Sequence, residues 1–237
     1  MNVGSIGILG LGSIGRRHAR NARLLGRRVV GFDPSPEAHS WFREEFHQEV
    51  VERAQLFAES EAIIIASPNE YHLGDLGEAI DERKPVLVEK PLGHDDTLAR
   101  KIVERAGKQH LLIAAAQNLR FRKVVQRARG LLGSGVIGSP LWAQFTCGSW
   151  LPDWRPGTDY RLGYAANELT GGVLFDVIHE FDLAVHLLGP ADVRAAIAKR
   201  SGLLEIQSED IADVVMQHEG GCQTTVYVDY VTRPRRR

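Results

Sequence analysis

The stretch Ile6-Gly7-Ile8-Leu9-Gly10-Leu11-Gly12-Ser13-Ile14-Gly15 limits what this chain can fold into more than any other. Ile6 to Leu9 is an apolar run too short for a helix and bounded by glycine, so it reads as a buried strand. Gly10, Gly12 and Gly15 follow in G-x-G-x-x-G spacing, and a helical pattern runs from Ser13 to Leu25. Each glycine has its own task in such a turn. Gly10 permits the tight exit from the strand, Gly12 leaves room for a pyrophosphate, and Gly15 lets the helix pack closely. The helix N-terminus then offers free N–H groups to phosphate. A second strand, Arg28 to Phe32, ends in Asp33, whose carboxylate would accept hydrogen bonds from ribose hydroxyls. Strand, glycine turn, helix and acid in this order predict a dinucleotide site.

The alternation continues. Pro36 to Phe46 is predicted helical, with Pro36 near its first position and Trp41, Phe42 and Phe46 as core candidates. Glu49 to Val51 reads as a short strand, Arg53 to Glu59 as a helix, and Ala62 to Ala66, with its three consecutive isoleucines, as a buried strand. Tyr71 to Asp81 (helix, with Asn69 as N-cap), Pro85 to Val88 (strand), Asp95 to Gln109 (helix capped by Asp95 or Asp96) and Leu111 to Ala115 (strand) complete the series. This is the pattern of an α/β doubly wound parallel sheet with helices on both faces, over residues 1–117. Ligands of such sheets sit at the carboxyl ends of the strands.

The rhythm changes over residues 118–237. A helix from Lys123 to Leu132 ends at Gly133, and a strand runs from Leu141 to Gly148. The loop Trp150 to Tyr160 is too long and aromatic for a simple linker. One helix is expected from Val173 to Leu188, then strands Val193 to Arg200, Asp210 to His218 and Gln223 to Tyr230, the last two joined at Gly220-Gly221. Helix followed by adjacent strands predicts an α+β domain with a mostly antiparallel sheet.

Several residues invite chemistry. Ser67-Pro68-Asn69 and His72 follow the isoleucine strand, and Glu89-Lys90-Pro91 follows the next. Lys90 reads either as a solvated charge or as a functional cation at the same sheet edge as the glycine turn. Asp176, His179, Asp182 and His186 fall on one face if their helix is continuous. That face reads as half of a metal site, as a polar stripe, or as an acid–base histidine held by a carboxylate. Trp150, Trp154, Arg155, Tyr160 and Arg161 suit stacking on a sugar ring and pairing with a carboxylate or phosphate, or equally pinning the loop to the core.

Taken together, the glycine turn, Asp33, Ser67-Pro68-Asn69 with His72, Glu89-Lys90-Pro91, Arg120-Phe121 and Gly171-Gly172…Asp176-x-x-His179-x-x-Asp182 resemble the glucose–fructose oxidoreductase / inositol dehydrogenase (Gfo/Idh/MocA) family. The resemblance implies a Rossmann domain followed by a domain for substrate and oligomerisation. It implies NAD(P)-dependent hydride transfer at a carbinol or keto carbon of a sugar, cyclitol or nucleotide sugar. His179 would be the base or acid, Lys90 would hold the substrate hydroxyl, and Asp176 or Asp182 would support His179. Gly10, Gly12, Ser13, Ile14, Gly15, Asp33, Ser67, Pro68, Asn69, His72, Glu89 and Lys90 would meet the cofactor. Arg120, Trp154, Arg155, Tyr160, Asp176 and His179 would meet the substrate. No metal is implied. Asp33 favours NAD over NADP, because its carboxylate repels a 2′-phosphate. A non-catalytic NAD-binding sensor or assembly protein of the same fold is the alternative. Relatives of this kind continue well beyond Tyr230, so an unpaired sheet edge covered by a second subunit, in a homodimer or homotetramer, is expected.

Composition excludes little. A net charge of −1 gives no general electrostatic reason for nucleic acid or membrane binding. The basic tail Arg233-Pro234-Arg235-Arg236-Arg237 reads as a frayed, solvated end. Cys147 and Cys222 read as free thiols, and with no apolar run of membrane length a cytoplasmic protein is expected.

Overall fold

A computed structural model describes residues 4–237. The chain forms two compact units, Met1–Ala116 and Gln117–Arg237. In the first, β1 (Ser5–Leu9), β2 (Arg28–Phe32), β3 (Ala62–Ile65), β4 (Val86–Val88) and β5 (Ile113–Ala115) make one wholly parallel sheet in the order β2-β1-β3-β4-β5. The intervening helices are α1 (Ser13–Leu24), α2 (Pro36–Phe46), α3 (Arg53–Glu59), α4 (His72–Asp81) and α5 (Asp96–Lys108).

The isoleucine run shows why this sheet is covered on both sides. Ile63 and Ile65 join Leu9, Leu76, Ile80 and Val88 in one core, whereas Ile64 packs with Ile8, Leu11 and Phe42 in the other. Successive side chains alternate faces, and a strand buried on both faces is apolar throughout. Each such side chain withdrawn from water contributes about 1.5–3 kcal/mol. Asp95 caps α5 by accepting from Leu98 N at 2.9 Å.

The second unit contains α6 (Lys123–Gly133), β6 (Trp142–Gly148), α7 (Val173–Asp176), α8 (His179–Leu188), β7 (Ala191–Lys199), β8 (Ile211–His218) and β9 (Gln223–Asp229). Its sheet runs β6-β9-β8-β7, with β6 parallel to β9 and the other pairs antiparallel. Along β8, buried Ala212, Val214 and Met216 alternate with exposed or half-buried residues. That one-sided pattern seats the sheet on Val173 of α7, Ala184 of α8 and Val177 between them. The β8–β9 hairpin turns at Gly221, whose φ of +88° glycine adopts without strain.

Four expectations are corrected. Glu49–Val51 is not a strand: Val51 N donates to Gly31 O, and no ladder extends the pairing. Asn69 begins a one-turn 3₁₀ helix to Tyr71, and the N-cap of α4 is Tyr71. The single helix expected from Val173 to Leu188 is broken at Val177–Ile178. The break lies between two buried carboxylates, Asp176 and Glu180, each bonded to groups outside the helix. Hydrogen bonds to a charged group are worth about 1.5–3 kcal/mol, more than one helical bond at about 1 kcal/mol.

The basic tail is the fourth correction. Arg233 lies over the Trp150 ring at 4.1 Å, Arg236 exchanges backbone hydrogen bonds with Gly148, and Arg237 pairs with Glu180. It is docked rather than frayed, while all five of its residues stay exposed, as in a solvated end. No helix among the described residues is long and apolar enough to cross a membrane.

Candidate functional site

The glycine turn is built by backbone approach. A Cβ on Gly15 would lie 1.8 Å from Gly10 O, and one on Gly10, where φ is +89°, would lie 2.5 Å from Ser67 N. Neither position admits a side chain without rebuilding. Gly12 is different, because no protein atom beyond its chain neighbours lies within 4 Å of where its Cβ would be. Packing does not require glycine there, and the space over the backbone is open to a ligand. Gly12 caps α1 without a side-chain bond, and Gly12, Ser13 and Ile14 are exposed, so the first N–H groups of α1 are open. Asp33 fixes the adjoining corner: its carboxylate accepts from Leu11 N at 2.7 Å and from Ser35 N at 2.8 Å.

The next two post-strand turns are tied together. His72 is almost wholly buried, with Nδ1 2.7 Å from Pro91 O and Nε2 2.9 Å from Ser67 O. Expected at the cofactor, it instead spans the two turns from inside, and its burial leaves no surface for a ligand. Ser67 Oγ donates to Asp75 at 2.5 Å, and Asp75 also accepts from Arg53. Pro68 is exposed and Asn69 half-buried beside this turn. Glu89 pairs with His18 of α1 at 2.7 Å and accepts from Lys90 N. Burial raises the Glu89 pKa, but the His18 hydrogen bond and charge, with the Lys90 N–H and charge, outweigh it and leave the carboxyl below its ordinary value. Lys90 is half-buried, not a fully solvated charge.

In the second unit, the break after α7 separates the residues expected on one helical face. Asp176, buried at the end of α7, accepts from Tyr164 OH at 2.6 Å and Tyr230 OH at 2.8 Å. Burial foremost, and Asp176 second, raise the pKa of both tyrosines. His179 opens α8 half-buried, and its Nδ1 lies 2.9 Å from Gln117 Oε1. Asp182 holds Arg120 through a fork, with Nε to Oδ2 at 2.8 Å and Nε to Oδ1 at 3.1 Å, and Nη2 closing the pair. Arg120, expected at the substrate, thus commits these donors to Asp182. His186 lies a turn later, its pKa lowered first by burial and then by Arg129 and Arg120. Among the described residues, no group of three or more His, Cys, Asp or Glu is gathered as a metal site.

The aromatic loop folds into short 3₁₀ turns, Leu151–Asp153, Tyr160–Leu162 and Tyr164–Ala166. They enclose a cavity of about 350 Å³, whose wall includes Pro152, Trp154, Arg155, Tyr160 and Tyr164. Trp154 meets Tyr230 edge-on at 5.3 Å, and Arg155 lies 5.9 Å from the Tyr164 ring. Arg161 is neutralised by Asp159 and Glu205. The loop is therefore pinned to the core and also leaves a lined space. Gln117, Tyr164 and Tyr230 were not marked by any motif. Their partners lie far along the chain, and only folding brings them together.

Two family models account for nearly the whole chain. The model of an oxidoreductase family with an NAD-binding Rossmann fold matches residues 5–117, and that of a GFO/IDH/MocA C-terminal domain matches residues 125–237. Among curated relatives, D-apiose dehydrogenase of Rhizobium rhizogenes is 27% identical over 76% of this chain and 51% of its own length. Myo-inositol 2-dehydrogenase of Thermotoga maritima is 25% identical over 91% of this chain and 65% of its own. The chain thus spans about half to two thirds of the length of these relatives. The fold matches that of the WlbA dehydrogenase from Bordetella pertussis, solved with NADH and UDP-GlcNAcA, at a TM-score of 0.87 and 19% identity, covering 99% of this chain and 72% of that one. By both of its halves, the chain belongs to the Gfo/Idh/MocA family of NAD-binding Rossmann-fold oxidoreductases.

Proposed function

We propose that this chain is an NAD-dependent oxidoreductase that moves a hydride between nicotinamide and a carbinol or keto carbon of a sugar, cyclitol or nucleotide sugar. The observation that carries it is the open space over Gly12 at the exposed N-terminus of α1, beside the anchored Asp33 carboxylate. The turn from Gly10 to Gly15, with Ser13 and Ile14, holds the pyrophosphate, and Asp33 accepts from the adenosine ribose. Asp33 also sets the preference for NAD over NADP. Ser67, Pro68, Asn69 and Glu89 line the cofactor side, with His72 acting through the turns it spans.

When bound, nicotinamide supplies the hydride acceptor or donor. The protein manages the proton. Nε2 of His179 takes it from the substrate hydroxyl, and the Lys90 ammonium hydrogen-bonds the same oxygen as negative charge grows there. Acid–base help of this kind contributes about 10²–10⁴-fold in rate. Asp176 assists by fixing Tyr164 in the cavity wall. Trp154 and Tyr160 present ring faces to the sugar, and Arg155 pairs with a carboxylate or phosphate on it. The exposed edge strand β7, with Val193 and Ile197 outward, supports assembly through the C-terminal sheet as a homodimer or homotetramer.

The test is a panel of sugars, cyclitols and nucleotide sugars followed at the NADH absorbance band. Lys90→Ala and His179→Ala are each expected to lower kcat by about 10²-fold or more with NAD affinity kept. Unchanged turnover in both variants overturns the catalytic assignment. NAD binding with no reduction by any member of the panel favours the non-catalytic sensor.

A further inference from the structure

We infer that Gln117 is the positioning residue for His179, setting its tautomer so that Nε2 is the unprotonated, proton-accepting nitrogen. This rests on the reading of His179 as the base and names the group that makes it one. A neutral imidazole carries one N–H, and the other nitrogen offers a lone pair. Gln117 Oε1, 2.9 Å from Nδ1, can only accept. The ring proton therefore sits on Nδ1 and the lone pair on Nε2, the arrangement a base needs at the nitrogen opposite its support.

The side chain of Gln117 is held in place by the turn it opens. Gln117 caps the 3₁₀ turn Asn118–Phe121, and its carbonyl accepts from Arg120 N at 3.2 Å. Three residues after Gln117, Arg120 forks onto Asp182, itself three residues after His179. Two contacts with the same spacing on both segments lock the turn against the first turn of α8 in one register. The guanidinium fork fixes direction as well as distance. Gln117 has a further property that a carboxylate lacks. It orients the ring without the charge attraction that favours the imidazolium, so the proton taken from substrate is readily passed on.

The experiment is ¹⁵N NMR of ring-labelled histidine in the full chain, with the His179 signals assigned by their loss in His179→Gln. The expected result is the Nδ1–H tautomer in the unmodified protein, conversion to Nε2–H in Gln117→Leu, and retention of Nδ1–H in Gln117→Glu. In turnover, Gln117→Leu is expected to lower kcat about tenfold or more while the KM for NAD moves less than about twofold, and Gln117→Glu to recover most of that loss. An Nε2–H ring in the unmodified protein, or an unaltered tautomer in Gln117→Leu, overturns the inference. The NMR result stands apart from activity. If His179→Gln turns over normally, the role of His179 fails while the tautomer measurement still decides that of Gln117.

Discussion

The glycine turn and the His179 cluster are built in opposite ways. The turn is made of backbone: three glycines, one strand end and one helix start, all within a short run, with Asp33 and Arg16 as polar braces on Leu11. The His179 cluster is made of side chains brought from four places, namely Gln117 with Arg120, Tyr164, the α7–α8 pair and Tyr230. A backbone site is damaged by an added side chain, through the fold at Gly15 and through the open space at Gly12, whereas a side-chain site is damaged by a lost partner. The two should therefore fail differently when changed.

The largest effect is expected at Gly15→Val. Its Cβ would sit 1.8 Å from Gly10 O, and the overpacking costs about 3 kcal/mol or more, read as a lowered denaturation midpoint. Asp176→Ala comes next. It strands the buried Tyr230 hydroxyl and the part-buried Tyr164 hydroxyl, at about 3 kcal/mol in chemical denaturation. Gly12→Val sharpens the comparison because the space around it is empty of protein. The fold is expected to keep its stability while NAD binding weakens about 100-fold by calorimetry, equal to about 2.7 kcal/mol. Equal losses of stability at Gly12 and Gly15 would show that the empty space has no bearing on the ligand. Tyr230→Phe, which removes one of two tyrosine donors to Asp176, is expected to cost about 1.5–2 kcal/mol.

Titration distinguishes the two units by sign. Tyr164 and Tyr230 are held above the ordinary value of 10.0, first by burial and then by Asp176. Their contribution to stability is whole below pH 10. It falls as pH rises beyond 10, because the unfolded phenols ionise while the folded ones stay protonated. Glu89, held below its ordinary value of 4.5, acts the other way: its contribution is present above pH 4.5 and is lost as pH falls through the folded value. Denaturation midpoints across pH should therefore respond to Tyr230→Phe on the alkaline side and to Glu89→Gln on the acid side. The opposite pattern would reverse both attributions.

The same contrast explains how much was legible in the sequence. The glycine turn, the parallel sheet and the two-sided burial of β3 could be read directly, because they depend on local spacing and alternation. The break at Val177–Ile178 could not, since what opposes a continuous helix is Tyr230 on one side and Arg237 on the other. Periodicity placed Asp176, His179 and Asp182 on one face, yet their partners are Tyr164, Gln117 and Arg120. His72 stood in a recognisable motif, but the motif could not say that its ring faces inward. The tail was misread because charge composition says nothing about a buried carboxylate that would hold it.

That arginine run has a practical side. Glu180 is the residue after His179 and is 2% exposed, and the cation that neutralises it comes from Arg237. Removing one partner of such a pair leaves a buried charge without compensation. Replacing that one arginine alters the charge beneath the first turn of α8. A change 57 residues further along the chain thus reaches the residue next to His179 through charge alone.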